Sequence, residues 1–230
     1  LHRLIRRQRQ MCIRDSDGTL LNTIEGISEA MNLALAKNGL PIIPDVERHK
    51  YLVGLGVDVY VKKALPEDKK DDEELFAAVK ADYVANYSKM WKDRTRPYDG
   101  IEEMLDELKR GGLKLAILSN KPDQITRLTV EEFFDLDKFE IVRGALDGLP
   151  LKPDPSLAIE IAREMQINPN DFAYLGDTGI DMQTANAAGM FAVGATWGFR
   201  KPDELIANGA KVLINHPLEL SKVLQNNRQV

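Results

Sequence analysis

Two aspartates one residue apart, Asp15 and Asp17, precede Gly18 and Thr19 near the start of the chain. Carboxylates this close repel unless a cation or a shared proton relieves them. The pair suits a metal site or acid/base work, although an Asp-Gly step also makes a plain turn. Further on, Ser119-Asn120-Lys121 offers a hydroxyl and backbone N–H groups that can hold a phosphate oxygen, or simply ends a strand. Lys152 opens Lys152-Pro153-Asp154-Pro155, a proline-stiffened loop that can present a point charge to an anion, though loop lysines are commonly just solvated. Asp177 and Asp181 lie four apart in Gly176-Asp177-Thr178-Gly179-Ile180-Asp181 and fit metal binding and helix N-capping equally well.

The elements around these residues follow from apolar spacing. Residues 11–13 read as the end of a buried strand, whose alternation sends Asp15 and Asp17 to the same side. From Thr23, a suitable N-cap, a helix carries Ile24, Ile27, Met31 and Leu35 on one face and stops at Asn38-Gly39. Shorter helical stretches at 46–52 and 57–65 follow. A longer one at 72–91 has Leu75, Val79, Tyr83 and Tyr87 as its inward stripe. The stretch from 23 to 92 is therefore all-helical. Beyond it, strands at 113–118, 139–142, 172–175, 191–195 and 212–214 alternate with helices at 101–108, 124–134, 156–165, 181–188 and 218–224. That alternation means βαβ units and a parallel sheet. The polar groups named above then fall at successive strand ends, the carboxyl edge where open α/β sheets bind ligands. A helical insertion after the first strand sits over that edge and is placed to act as a lid.

Composition narrows the class. The chain has 230 residues, 43% hydrophobic and 29% charged, enough for a full core of ordinary globular type. A net charge of -5 gives no reason to expect nucleic acid. The one cysteine, Cys12, allows no internal disulfide, fits a reducing, cytoplasmic setting and reads as a buried strand residue. No apolar run has the length of a membrane span. Residues 1–10 carry Arg3, Arg6, Arg7 and Arg9 without an apolar core, which argues against a secretory signal and reads as a tail or a non-native junction.

Taken together, Asp15-x-Asp17-Gly18-Thr19, Ser119, Lys152-Pro153 and Gly176-Asp177-x-x-x-Asp181 resemble the haloacid dehalogenase-like superfamily over nearly the whole chain. Arg96-Pro97-Tyr98-x-Gly100, the Lys-Pro-Asp-Pro loop and Thr196-Trp197-Gly198-Phe199 look most like its phosphoglycolate phosphatase branch. The resemblance implies an α/β, doubly wound (Rossmann-like) parallel-sheet core, residues 1–22 and 96–230, with an inserted all-helical cap, residues 23–95. It implies Asp15 as nucleophile, Asp17 as general acid and base, and Lys152 paired with Asp15 and the phosphoryl group. Mg2+ would be held by Asp15, the Asp17 backbone carbonyl and Asp177, with Asp181 in support. Ser119, the Asn120 amide and Thr19 would take phosphate oxygens. Asp17 itself favours phosphate chemistry, because the superfamily's dehalogenases lack an aspartate there.

The implied reaction is Mg2+-dependent hydrolysis of a small phosphomonoester, 2-phosphoglycolate first, with pyrophosphate, a nucleotide or a sugar phosphate as alternatives. The expected partner is a small phosphorylated metabolite, with no nucleic acid or membrane, and the chain a monomer or homodimer. Two departures stand out. Arg14 occupies the place of a large apolar residue just before the nucleophile, where burial would be expensive. Strand one is therefore expected to be weakened or mis-registered, which motivates the competing reading of an impaired phosphate-binding protein. Asn22 stands where an aspartate is common, with little consequence expected.

Overall fold

The computed structural model describes residues 11–226. Its elements, in order, are β1 (Met11–Arg14), β2 (Leu21–Asn22), α1 (Ile24–Lys37), α2 (Val46–Leu52), α3 (Val57–Ala64), α4 (Glu73–Met90) and β3 (Arg96–Pro97). There follow α5 (Ile101–Arg110), β4 (Lys114–Pro122), α6 (Asp123–Phe133), β5 (Ile141–Ala145), α7 (Ser156–Glu164) and β6 (Phe172–Gly176). The chain ends with α8 (Gly179–Ala187), β7 (Phe191–Ala195), α9 (Pro202–Ala207), β8 (Val212–Ile214) and α10 (Glu219–Asn226).

Six parallel strands form one sheet in the order β5-β4-β1-β6-β7-β8. The strand order reverses between β4 and β6 on either side of β1, the kind of switch point where open α/β sheets open a crevice. Strand β1 is central: Arg14 pairs with Ile117 of β4 and with Leu175 of β6. The expected mis-registration of strand one is therefore absent, since ladder bonds on both sides hold the backbone that leads to Asp15. The arginine leader and the Arg14 and Cys12 side chains lie outside the described residues and side chains.

Helices cover both faces. On one side Leu105, Ile117, Leu175 and Val193 join a core that includes Leu220. On the other, Ala116, Leu118 and Tyr174 pack on Ile161 and Met182. This is the two-faced burial that near-continuous apolar strands require. The α/β doubly wound core with an all-helical insertion matches the expectation from sequence.

Helices α1 to α4 bury a third cluster, in which Met31, Leu35, Val79, Tyr83 and Tyr87 surround Tyr60 and Val61. Tyr60 meets Tyr83 edge-on, and Tyr83 stacks on Tyr87 at 5.9 Å and 17°. His49 is buried and spans Tyr60 Oη at 2.6 Å and the Ile43 carbonyl at 2.9 Å. Burial lowers its pKa, although the carbonyl contact pulls the other way. The two chain crossings into this helical layer are joined by the antiparallel pair Leu21–Pro97 and Asn22–Arg96.

Local differences from the expected elements have plain causes. Thr23 does flank α1, but its hydroxyl makes no capping bond and has no hydrogen-bond partner among the described residues. Strand β5 begins at Ile141 because Phe139 is spent earlier, packed edge-on to Phe134 after a 3-10 turn at Leu136–Lys138. Helix α9, not anticipated from the pattern, starts with Pro202 in its first turn. No helix among the described residues is long and apolar enough to cross a membrane.

Candidate active site

Strand β1 delivers Asp15 to the carboxyl edge, and the chain then folds back on itself. The Ser16 carbonyl accepts from the N–H groups of Leu20 and Leu21, and Gly18 N–H donates to Leu21 O at 2.8 Å. Gly18 takes φ +81°, and a Cβ there would stand 2.2 Å from Asp177 Oδ2, so only glycine fits this turn.

Four carboxylates and two ammonium groups gather at this edge. Lys152 Nζ lies 2.9 Å from Asp15 Oδ2 and 2.8 Å from Asp181 Oδ1, with all three side chains largely or fully buried. Lys121 Nζ lies 2.8 Å from Asp17 Oδ1 and donates to Tyr87 Oη at 2.9 Å. Asp177 receives the Thr19 hydroxyl on Oδ1 at 2.6 Å and the Phe199 N–H on Oδ2 at 2.8 Å. Asp181 completes a capping box at the start of α8, where its Oδ2 accepts from both Thr178 N–H and Thr178 Oγ1. Of the two readings the sequence leaves open for Asp181, the structure shows the helix capping, and it places the same carboxylate in a cluster with Asp15 and Asp177.

Charge explains the behaviour of these groups. Burial pushes the Asp15 carboxyl up to about 6; Lys152 opposes this, while Asp181 and Asp17 add to it. Burial also raises Asp177 to about 8, helped by Asp181 and Asp15 and opposed by the Thr19 and Phe199 hydrogen bonds. Burial works against the charge on Lys152, yet Asp15 and Asp181 hold it well above the ordinary lysine range. The same balance, with Asp17 as the main partner, raises Lys121.

Oxygens of Asp15, Asp177 and Asp181 lie within 4.8 Å of one another. Against three carboxylates stands the single ammonium of Lys152, which leaves two negative charges uncompensated. An all-oxygen donor set with that excess suits a hard divalent cation. Asp15 and Asp177 retain lone pairs toward it, whereas Asp181 already accepts from Lys152 and twice from Thr178.

The expected phosphate-binding residues divide. Ser119 is buried beside Ser16: its Oγ accepts from Ser16 Oγ at 2.9 Å and from Lys121 N–H at 3.3 Å. The Asn120 side chain is committed to the scaffold, donating to the Gly54 and Lys152 carbonyls and accepting from Lys152 N–H. Thr19 differs from expectation, because its hydroxyl is turned to Asp177 and not toward an anion. It is a positioning residue, and the short loop geometry that turns it inward is invisible in the sequence.

Two contributors went unrecognised in the sequence. Lys121 reads in the sequence as the tail of the Ser119-Asn120 step, although a basic residue two positions after that serine is the available signal. Arg200 donates to the Lys50 and Val53 carbonyls at the end of α2 and stacks over Tyr51 at 5.1 Å. With Phe199 buried among the helices α1 to α4, it ties the segment after β7 to the helical layer.

Between the sheet edge and that layer lies a cavity of about 120 Å³, whose walls include Asp15, Asp17, Ser119, Lys121, Ile27, Val57, Tyr83, Tyr87 and Phe199. A pocket that brings carboxylates, a serine hydroxyl and an ammonium group together is an arrangement suited to phosphoryl transfer.

Comparison with known proteins decides the family. The model of the family described as haloacid dehalogenase-like hydrolase matches residues 12–195. The chain belongs to that family. Within it the chain groups with phosphatases. It is 30% identical over 216 residues to the phosphoglycolate phosphatase of Nitrosospira multiformis, covering 93% of this chain and 94% of that protein. It is 25% identical over 213 residues to the N-acetylmuramic acid 6-phosphate phosphatase of Pseudomonas putida, covering 92% and 94%. A crystal structure from Lactobacillus delbrueckii subsp. bulgaricus superimposes with a TM-score of 0.88 at 28% identity, covering 94% of this chain and 98% of that one.

Proposed function

We propose that this phosphatase hydrolyses small phosphomonoesters with Mg2+, with 2-phosphoglycolate as the first substrate. The observation that carries the reading is the convergence of Asp15, Asp17, Lys152, Asp177 and Asp181 at one sheet edge under the helical layer. Residues 1–22 and 96–230 form the catalytic core in this reading, and residues 23–95 its cap.

Asp15 attacks phosphorus, forming an Asp15–phosphorus bond as the ester P–O bond breaks. Asp17 gives its proton to the departing alcohol oxygen, then takes one from the water that attacks the aspartyl-phosphate and releases phosphate. Lys152 keeps Asp15 oriented and offsets phosphoryl charge. Ser119 and the Asn120 backbone amide hold phosphoryl oxygens. Asp15, the Asp17 carbonyl and Asp177 would hold Mg2+, which when bound neutralises developing negative charge on the phosphoryl oxygens. Asp181 orients Lys152 and caps α8.

A reducing, cytoplasmic setting and a small phosphorylated metabolite as partner fit this reading. A sugar phosphate is the second reading. It is favoured by the aromatic wall of the cavity, where Tyr60, Tyr83 and Tyr87 line the space that a ring would enter. A substrate panel with and without Mg2+ tests both: 2-phosphoglycolate should lead in kcat/KM, and a sugar phosphate leading it would replace the first reading by the second.

A further inference from the structure

Lys121 has no role in the chemistry described above, yet it stands beside the general acid. Its ammonium is 2.8 Å from Asp17 Oδ1 and 2.9 Å from Tyr87 Oη, and its side chain is only 6% exposed. It also lies 5.2 Å from the centre of the Tyr87 ring. Among the described residues lining the cavity it is the basic one; apart from Ser88, Gly54 and Gly56, the wall toward the helical layer is apolar or aromatic. Burying an ammonium in such a wall is costly unless what it meets there returns the energy. Two of its three N–H donors are taken by Asp17 and Tyr87, which leaves the third for the cavity.

Position gives that donor a meaning. The ester oxygen must approach Asp17, because Asp17 protonates it. Whatever is attached to the first carbon of the leaving alcohol therefore comes next to Lys121. We infer that Lys121 is a specificity-determining residue that selects phosphate esters bearing a carboxylate on the carbon next to the ester oxygen. Tyr87, on α4 of the helical layer, holds the ammonium at that station, so the selection is made only with the layer packed on the core as seen here. This inference rests on the phosphatase reading above and deepens it from an activity to a leaving-group class.

The test compares 2-phosphoglycolate with its uncharged analogue 2-hydroxyethyl phosphate, with p-nitrophenyl phosphate as a reference for turnover. Wild-type protein with Mg2+ should prefer the carboxylate ester by at least about tenfold in kcat/KM, since a site built around a charged partner rejects the analogue that lacks it. Lys121→Met should bring that ratio to within about threefold, mainly by raising KM for 2-phosphoglycolate, and Lys121→Arg should restore part of it. Tyr87→Phe, which keeps the ring and the lysine, should lower the ratio by less and guards against a methionine variant that does not fold. If Lys121→Met slowed all three esters equally, Lys121 would serve only Asp17 and the inference would fall. A wild-type enzyme indifferent to the carboxylate would also overturn it while leaving the phosphatase reading intact. Failure of all three esters to turn over would overturn both.

Discussion

The hydroxyl of Thr19 donates to Asp177 Oδ1 over 2.6 Å, joining the loop after β1 to the end of β6 across 158 positions of sequence. This bond sets the distance between the two halves of the carboxylate cluster. It holds Asp177, whose other oxygen is fixed by the Phe199 N–H, facing Asp15.

Thr19→Val keeps the volume and removes the donor. A hydrogen bond to a buried carboxylate contributes about 1–3 kcal/mol, so the melting temperature should fall by several degrees. The Mg2+ concentration for half-maximal activity should rise at the same time. Thermal unfolding and a Mg2+ titration of the same preparation check the two effects.

The same cluster makes stability depend on pH. Asp15 and Asp177 are raised from 3.8 to about 6 and about 8. Each binds its proton more tightly folded than unfolded, so its stabilising contribution is complete below the unfolded pKa. That contribution is lost as pH rises through about 6 for Asp15 and about 8 for Asp177. Metal-free protein should therefore lose stability from these two groups between mildly acidic and mildly alkaline pH. Mg2+, which takes the ionised carboxylates, should stabilise more at the alkaline end. Melting curves in EDTA and in Mg2+ across that range check this; a Mg2+ effect independent of pH would contradict it.

Lys152 is the sole ammonium contacting both Asp15 and Asp181 among the described residues. Lys152→Met should destabilise the fold by about 3–5 kcal/mol, because it leaves two adjacent buried carboxylates uncompensated. Part of that loss should return with Mg2+ or at lower pH, where a carboxylate is protonated. Chemical denaturation at two pH values measures it.

Gly198 closes the site from the opposite side. A Cβ there would stand 2.3 Å from Asp177 Cβ and 2.4 Å from the Gly18 carbonyl oxygen. Gly198→Ala should therefore displace Asp177, costing about 1–3 kcal/mol of stability and a larger share of activity. The ratio of activity loss to stability loss separates this from a general packing defect.

Much of this was legible in the residues. The stripe Val79–Tyr83–Tyr87 announced α4, the apolar run before Ser119 announced β4, and polar groups at successive strand ends announced a shared edge. Such signals are local, carried by spacing of apolar residues against the helix or strand period. What could not be read depends on where distant segments meet. Lys121 gains its place from Tyr87, 34 positions away, and Thr19 from Asp177, while Arg200 reaches carbonyls of α2 about 150 positions earlier. The two-residue ribbon at Leu21–Asn22 is too short for any period to mark it. Arg14 misled in the other direction: it suggested a damaged strand, but neighbours on both sides hold the backbone in register.

The central claim is that Asp15 is the nucleophile of a metal-dependent phosphatase, and p-nitrophenyl phosphate turnover tests it most directly. Wild-type protein should turn over with Mg2+ and lose that activity in EDTA, and Asp15→Asn should reduce kcat by at least about a thousandfold while remaining folded. Turnover that survived in EDTA, or in Asp15→Asn, would contradict the account.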